Sequence, residues 1–156
     1  MSPPDAPRSG TRRLLLVIAA IVALMCVAFG YAIVQQQGSF RAYRTATLET
    51  VTPPWRTERL EPEACVRFAI DWGMACPGLG TWCESEAPRL VTECMASHDR
   101  SAYCQSLGET VGSTEFGYAD CTRLRAEVTG KHTQRSHKKF CAAGYRAIAQ
   151  HCRSAR

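Results

Sequence analysis

Apolar residues crowd near the start of the chain: Leu14 to Val34 is a run of 21 residues without a charged side chain. As a helix it would rise about 30 Å, the thickness of a bilayer's hydrocarbon core, and it outruns the roughly 7 to 15 residues of a secretory h-region. The run predicts a transmembrane helix over 14–34 that acts as an uncleaved signal anchor. The competing reading is cleavage after Gly30, because Ala28 and Gly30 occupy the small-residue positions that a signal peptidase recognises; the length of the run weighs against it. Cys26 follows Leu24 and Met25 rather than a small residue, so it reads as lipid-facing or packed in the membrane rather than lipidated. Residues 1–13 carry Pro3, Pro4, Pro7, Ser9 and Gly10 with hardly an apolar side chain, the composition of a disordered tail. From 35 to 60 the chain turns polar, with Gln35 to Gln37, Gly38 and Pro53-Pro54, which predicts a partly helical stalk ending in a stiff extended spacer.

A second kind of pattern begins near Glu61. Pro62 suits the first turn of a helix and Glu63 its positive end, so a helix should run to Cys76, where Pro77-Gly78 stops it and Leu79-Gly80 completes a tight connection. Thr81 followed by Glu84 is a capping-box pattern for a helix toward Met95, which Pro88 either kinks or divides. Asp99 could cap a short helix through Leu107. Gly108, Gly112 and Gly117 break the chain into a loop before a helix from Tyr118 to Val128, and Gly130 to Ser136 reads as a polar basic connector with Ser136 capping a last helix through Cys152. The expected core is Phe68, Ile70, Trp72, Leu90, Val91, Tyr103, Leu107, Phe116, Leu124, Phe140, Tyr145 and Ile148.

The cysteines tie these helices together. Cys65 and Cys76 stand eleven residues apart, as do Cys83 and Cys94 and again Cys141 and Cys152. Eleven residues is almost a whole number of helical turns, so both thiols of each pair face the same way, yet lie about 16 Å apart along one axis. A disulfide spans at most roughly 7 Å between Cα atoms, which excludes bridging within one straight helix. Two helices joined by the short turn at Pro77 to Gly80 must run antiparallel, and this pairs Cys76 with Cys83 and Cys65 with Cys94. The same nesting suggests Cys121 with Cys141 and Cys104 with Cys152, where spacings of 17 and 20 residues leave the geometry looser. The hairpin from Cys65 to Cys94 is similar in geometry to the helical hairpins of the twin C-x9-C family of the mitochondrial intermembrane space; it has ten intervening residues instead of nine and follows an apolar anchor.

Eight thiols within 88 residues, all on one side of the apolar run, point to an oxidising compartment. The N-terminal tail is then expected in the cytoplasm and the bulk of the chain on the periplasmic or extracellular side, an orientation that Arg8, Arg12 and Arg13 before the run favour weakly over Arg41 and Arg44 after it. No C-x-x-C occurs, which thioredoxin-like sites, c-type haem attachment and zinc knuckles would need.

Candidate chemistry is sparse. His98, His132, His137 and His151 read as surface histidines; only His137 with Cys141 has an i, i+4 ligand spacing, and Cys141 is wanted for a disulfide. Glu84, Glu86 and Glu93 read as a solvated face. With no nucleophile elbow, zinc-protease pair, P-loop or dinucleotide fingerprint, no catalytic residue, metal or cofactor is expected. Charge is more informative. Residues 35–122 hold 7 basic and 12 acidic side chains, whereas 123–156 hold 9 basic and 1 acidic. Lys131, Arg135, Lys138 and Lys139 form the densest basic stretch and the candidate patch for an anionic partner.

The chain is thus expected to be all-α: a single transmembrane helix followed by a cysteine-rich helical domain over 61–156. The expected function is a membrane-tethered, non-enzymatic interaction or accessory module, a small subunit or assembly factor of an envelope complex. Its expected partners are the membrane, an envelope protein and an anionic surface, and nucleic acid is not among them. The alternatives are an envelope enzyme without a linear motif, which should show a deep pocket with convergent polar groups, and a thiol-redox factor, which should show a reactive cysteine pair.

Overall fold

A computed structural model describes residues 9–78 and 80–154. They form helices α1 (Ser9–Arg44), α2 (Pro62–Ala75), α3 (Gly80–Ala96), α4 (Ser101–Leu107), α5 (Tyr118–Ala126) and α6 (Lys131–Ser154), with a π-helical turn at Thr45–Glu49 and 3-10 turns at Pro54–Arg56 and Gly108–Gly112. No strand occurs among the described residues. The chain divides into two units, Met1–Gly38 and Ser39–Arg156.

In the first unit α1 carries Leu14 to Val34, exposed apart from the half-buried Ile33, and it is long and apolar enough to cross a membrane. Of the expected disordered tail, residues 1–8 lie outside the described residues. Ser9 to Arg13 are already helical, because extending a formed helix adds a hydrogen bond per residue fixed, whereas nucleating one is costly.

The second unit starts well before Glu61, and this corrects the expected stalk. Leu48, Pro53 and Trp55 are buried, Trp55 meets Phe68 edge to face at 4.9 Å between ring centroids, and Tyr43 lies against Trp72 at 5.2 Å. Trp72 Nε1 donates to Thr47 Oγ1 at 2.8 Å, and Tyr43 OH donates to the Trp72 carbonyl at 3.1 Å. Residues 39–60 are polar on average, but Phe40, Tyr43, Leu48, Trp55 and Leu60 are spent on the domain.

Within that domain α2, α3 and α6 pack on one another, and α5 packs on α6. Pro62 opens α2, and Cys76, held extended by Pro77, closes it. Helix α3 runs through Pro88 without dividing there. The missing N–H of a mid-helix proline costs about 3 kcal/mol, and bridges on both sides of it clamp α3 to α2: Cys83 to Cys76 and Cys94 to Cys65, with Cα separations of 6.0 and 5.9 Å. The other two bridges join Cys104 to Cys152 at 5.1 Å and Cys121 to Cys141 at 5.6 Å, tying α4 and α5 to α6. Asp99 accepts the Ser101 N–H at 2.9 Å and its hydroxyl at 2.6 Å ahead of α4, which holds the Asp99 carboxyl below the usual carboxylate range.

Helices α2 and α6 approach closely because each offers the other a glycine. A Cβ on Gly73 would stand 2.7 Å from the Phe140 ring, and one on Gly144 would stand 3.0 Å from Val66. Gly117, ahead of α5, has φ +77° with the Tyr145 ring over it, so only glycine fits there. Ile70, Leu90, Val91, Leu124, Phe140, Tyr145 and Ile148 fill the core with Trp72, while Phe68, Tyr103, Leu107 and Phe116 are half-buried against it; Leu48, Trp55, Val66, Met95 and Val111 complete it.

Two outcomes test this arrangement. Denaturation without reductant should expose one reactive thiol per chain, Cys26, the free cysteine of the chain. Removing the Cys65–Cys94 bridge, which closes 29 residues, should cost about 3 to 4 kcal/mol in urea unfolding, and removing Cys76–Cys83, which closes only 7, about 1 kcal/mol less. Equal costs, or the reverse order, would show that chain closure is not what these staples contribute.

Candidate functional site

The polar stretch expected to connect two helices is itself helix. Helix α6 starts at Lys131, four residues after Glu127, the residue that caps α5, and Gln134 N–H closes the first turn on the Gly130 carbonyl at 2.9 Å. All four residues of the expected basic patch therefore stand on α6, and they divide in two.

Lys131, Arg135 and Lys138 follow an i, i+4, i+7 spacing, are exposed, and form no ion pair among the described residues. Lys139 is paired instead: its Nζ meets Glu84 Oε1 of α3 at 2.5 Å, so its charge is answered within the fold, and the pair lines a depression together with Arg135 and Lys138. Arg125 joins the site from α5. The Cys121–Cys141 bridge explains how, because Arg125 lies one turn after Cys121 and Lys138 one turn before Cys141. Stapling the two cysteines brings the two cations to one depression, which Tyr118 and Thr122 also line.

Arg125, Lys131, His132, Gln134, Arg135 and Lys138 border a groove of about 410 Å³ between α5 and α6. A second depression of about 560 Å³ continues along α6 past Lys138 and Ala142 to Arg146. Both are open to solvent. No acidic side chain sits in the first turn of α6; Lys131 occupies the positive end of the helix dipole, where a like charge disfavours the helix by about 0.3 to 1 kcal/mol. The fold concentrates positive potential here without neutralising it.

His137 is not the surface histidine expected. It is 7% exposed, and no partner among the described residues reaches its Nδ1. Burial pushes its pKa down, opposed by Asp71 and Glu127 and reinforced by Arg67. Its i+4 neighbour Cys141 is bonded to Cys121 and offers no thiolate, and no group of three metal-ligating side chains occurs among the described residues.

The α3 carboxylates also depart from a purely solvated face. Glu86 is 6% exposed and is held by Arg44 Nε at 3.0 Å and Arg89 Nη1 at 3.4 Å; Glu84 is held by Lys139; Glu93 is exposed. Arg44 also reaches Glu49 at 2.6 Å, so Glu86 fastens the end of α1 and the turn after it onto α3. On another side of the domain Tyr103 OH donates to Glu63 at 3.3 Å, and burial pushes the Tyr103 and Tyr145 phenols up, keeping both as hydrogen-bond donors.

No family model, no curated protein and no solved structure matches this chain. The site is read from its own geometry.

The buried histidine makes stability depend on pH. Because its folded pKa lies below the unfolded value of about 6.5, the unfolded chain binds the extra proton. His137 therefore costs no stability well above pH 6.5 and an increasing amount as pH falls through that value. Thermal unfolding should show a larger drop between pH 7.5 and 5.5 for the natural chain than for His137→Gln. Parallel curves would mean that His137 does not carry the effect.

Proposed function

We propose that this chain is a membrane-anchored, non-enzymatic interaction module, a small subunit or assembly factor of an envelope complex, with its disulfide-bonded domain on the periplasmic or extracellular side. The apolar helix supports the anchor, and four bridges beyond it support an oxidising exterior. The observation that carries the role is the open face of α5 and α6, where Arg125, Lys131, Arg135 and Lys138 make no ion pair among the described residues, on a scaffold stapled beneath them. Such a face favours an anionic partner and fast, salt-sensitive encounter.

The sequence supplies a direct test of orientation, since the three lysines of the whole chain are Lys131, Lys138 and Lys139. A membrane-impermeant amine reagent applied to intact cells or spheroplasts should modify Lys131 and Lys138; modification only after the membrane is opened would sink the proposed topology. A photo-crosslinking residue at position 135 should then give adducts that a control at Glu93, on the exposed side of α3, does not. Equal labelling from both positions would remove the basic face from its proposed role.

A further inference from the structure

Three features of the α5–α6 groove narrow the kind of anion it takes. Its cations form a line: along α6, Lys131, Arg135 and Lys138 span about 10 Å at 1.5 Å per residue, with Arg125 facing them from α5, and Arg146 follows in the next depression, which the Lys139–Glu84 pair also lines. That matches negative groups repeated along an extended chain better than a single small anion. The site is also concave, an open groove bordered by α5 and α6, whereas a bilayer is a plane and a folded acidic protein needs roughly 800 Å² of matching surface on each side. Finally, Tyr118 stands 64% exposed in the depression that Arg125, Thr122 and Lys138 line. An exposed aromatic ring beside cations and the Thr122 hydroxyl offers a flat apolar face for the C–H face of a sugar ring and hydrogen-bonding groups for its hydroxyls.

We propose that this groove binds a linear anionic glycan, a sugar polymer bearing phosphate, sulfate or carboxylate groups, laid along α6 with its charges on Arg125, Lys131, Arg135 and Lys138 and a sugar ring on Tyr118. This deepens the tethered-module reading of the same face and rests on it. The placement of cations at the start of α6 fits the occupant, because each bound anionic group relieves repulsion between neighbouring cations and between those cations and the helix dipole. Lys139, already paired with Glu84, takes no part.

The test uses the full-length chain in zwitterionic nanodiscs, with labelled dextran sulfate, neutral dextran of the same length, inorganic polyphosphate, and vesicles containing phosphatidylglycerol. Dextran sulfate should bind and neutral dextran should not, with affinity falling steeply as salt rises. Arg135→Glu with Lys138→Glu should weaken dextran sulfate at least tenfold, and Lys139→Gln should leave it unchanged. Tyr118→Ala should weaken dextran sulfate about three- to tenfold and leave polyphosphate unaffected, the signature of a sugar on the ring. Each variant is first checked for one reactive thiol and unchanged helicity, so that misfolding is not read as lost binding. The proposal is overturned by undiminished binding in the charge-reversed variant, by vesicles bound in preference to polymer, or by Tyr118→Ala acting equally on both polyanions. Protein adducts at position 135 with no polymer binding would sink this inference alone, whereas polymer binding by a domain labelled only after the membrane is opened would sink the topology alone.

Discussion

Pairing of sulfurs across antiparallel helices is the constraint on which the domain depends. Cysteines eleven residues apart on α2 and again on α3 put two thiols of each helix on the facing side, and each bridge needs Cα atoms within roughly 7 Å. Satisfying both bridges at once, at 5.9 and 6.0 Å, fixes the direction, register and facing side of the hairpin together. It also makes a helix with an internal proline tolerable, since Pro88 lies between two clamped positions. The pairing of Cys104 and Cys121 with the two cysteines of α6 then hangs the shorter helices α4 and α5 on the longest helix of the domain. Helices of 7 and 9 residues would not persist in isolation.

The staples have an electrostatic consequence. A fold that held α5 to α6 by ion pairs would use up the charges of α6; one that holds it by Cys121–Cys141 leaves them free. The single cation of the patch that is used structurally, Lys139, pairs with Glu84 on α3. Charge segregation along the sequence, visible as an acidic stretch followed by a basic one, becomes a directional face only because α5 returns along the α6 surface with Arg125 aimed at the same depression.

Legibility followed the period of the signal. Where cysteines recur at the helical repeat, the sequence specifies the hairpin and its bridges, and the glycine and proline punctuation around Pro77 and Gly117 marks helix limits to within a residue or two. Residues 39–60 misled because Leu48 and Trp55 are isolated in polar surroundings and show no period, so only tertiary packing reveals that they are core. The start of α6 misled because its first turn is polar all round; a helix extended outward from a packed segment needs no apolar face there. Arg125 and Tyr118 were out of reach, since their place in the site follows from which cysteine Cys121 joins. His137 was within reach: 137, 141, 144, 148 and 152 form one i, i+4 or i+3 stripe that includes Phe140's neighbours in the core, and that stripe marks its first member as buried.

That stripe also explains why the basic face should hold its shape. At 100° per residue, Lys131, Arg135, Lys138 and Arg146 centre roughly a third of a turn from the stripe of His137, Cys141, Gly144, Ile148 and Cys152. One side of α6 is committed to two disulfides and to close approach by α2 at Gly144, and the adjoining flank carries the cations. A backbone so fixed loses little freedom when a partner binds, and the ordering cost that remains falls on the long Lys and Arg side chains alone. The interior that looks like a device for stability in a small domain is, on this argument, equally a device for pre-organising charge, and the two functions cannot be separated by mutation at Cys121 or Cys141.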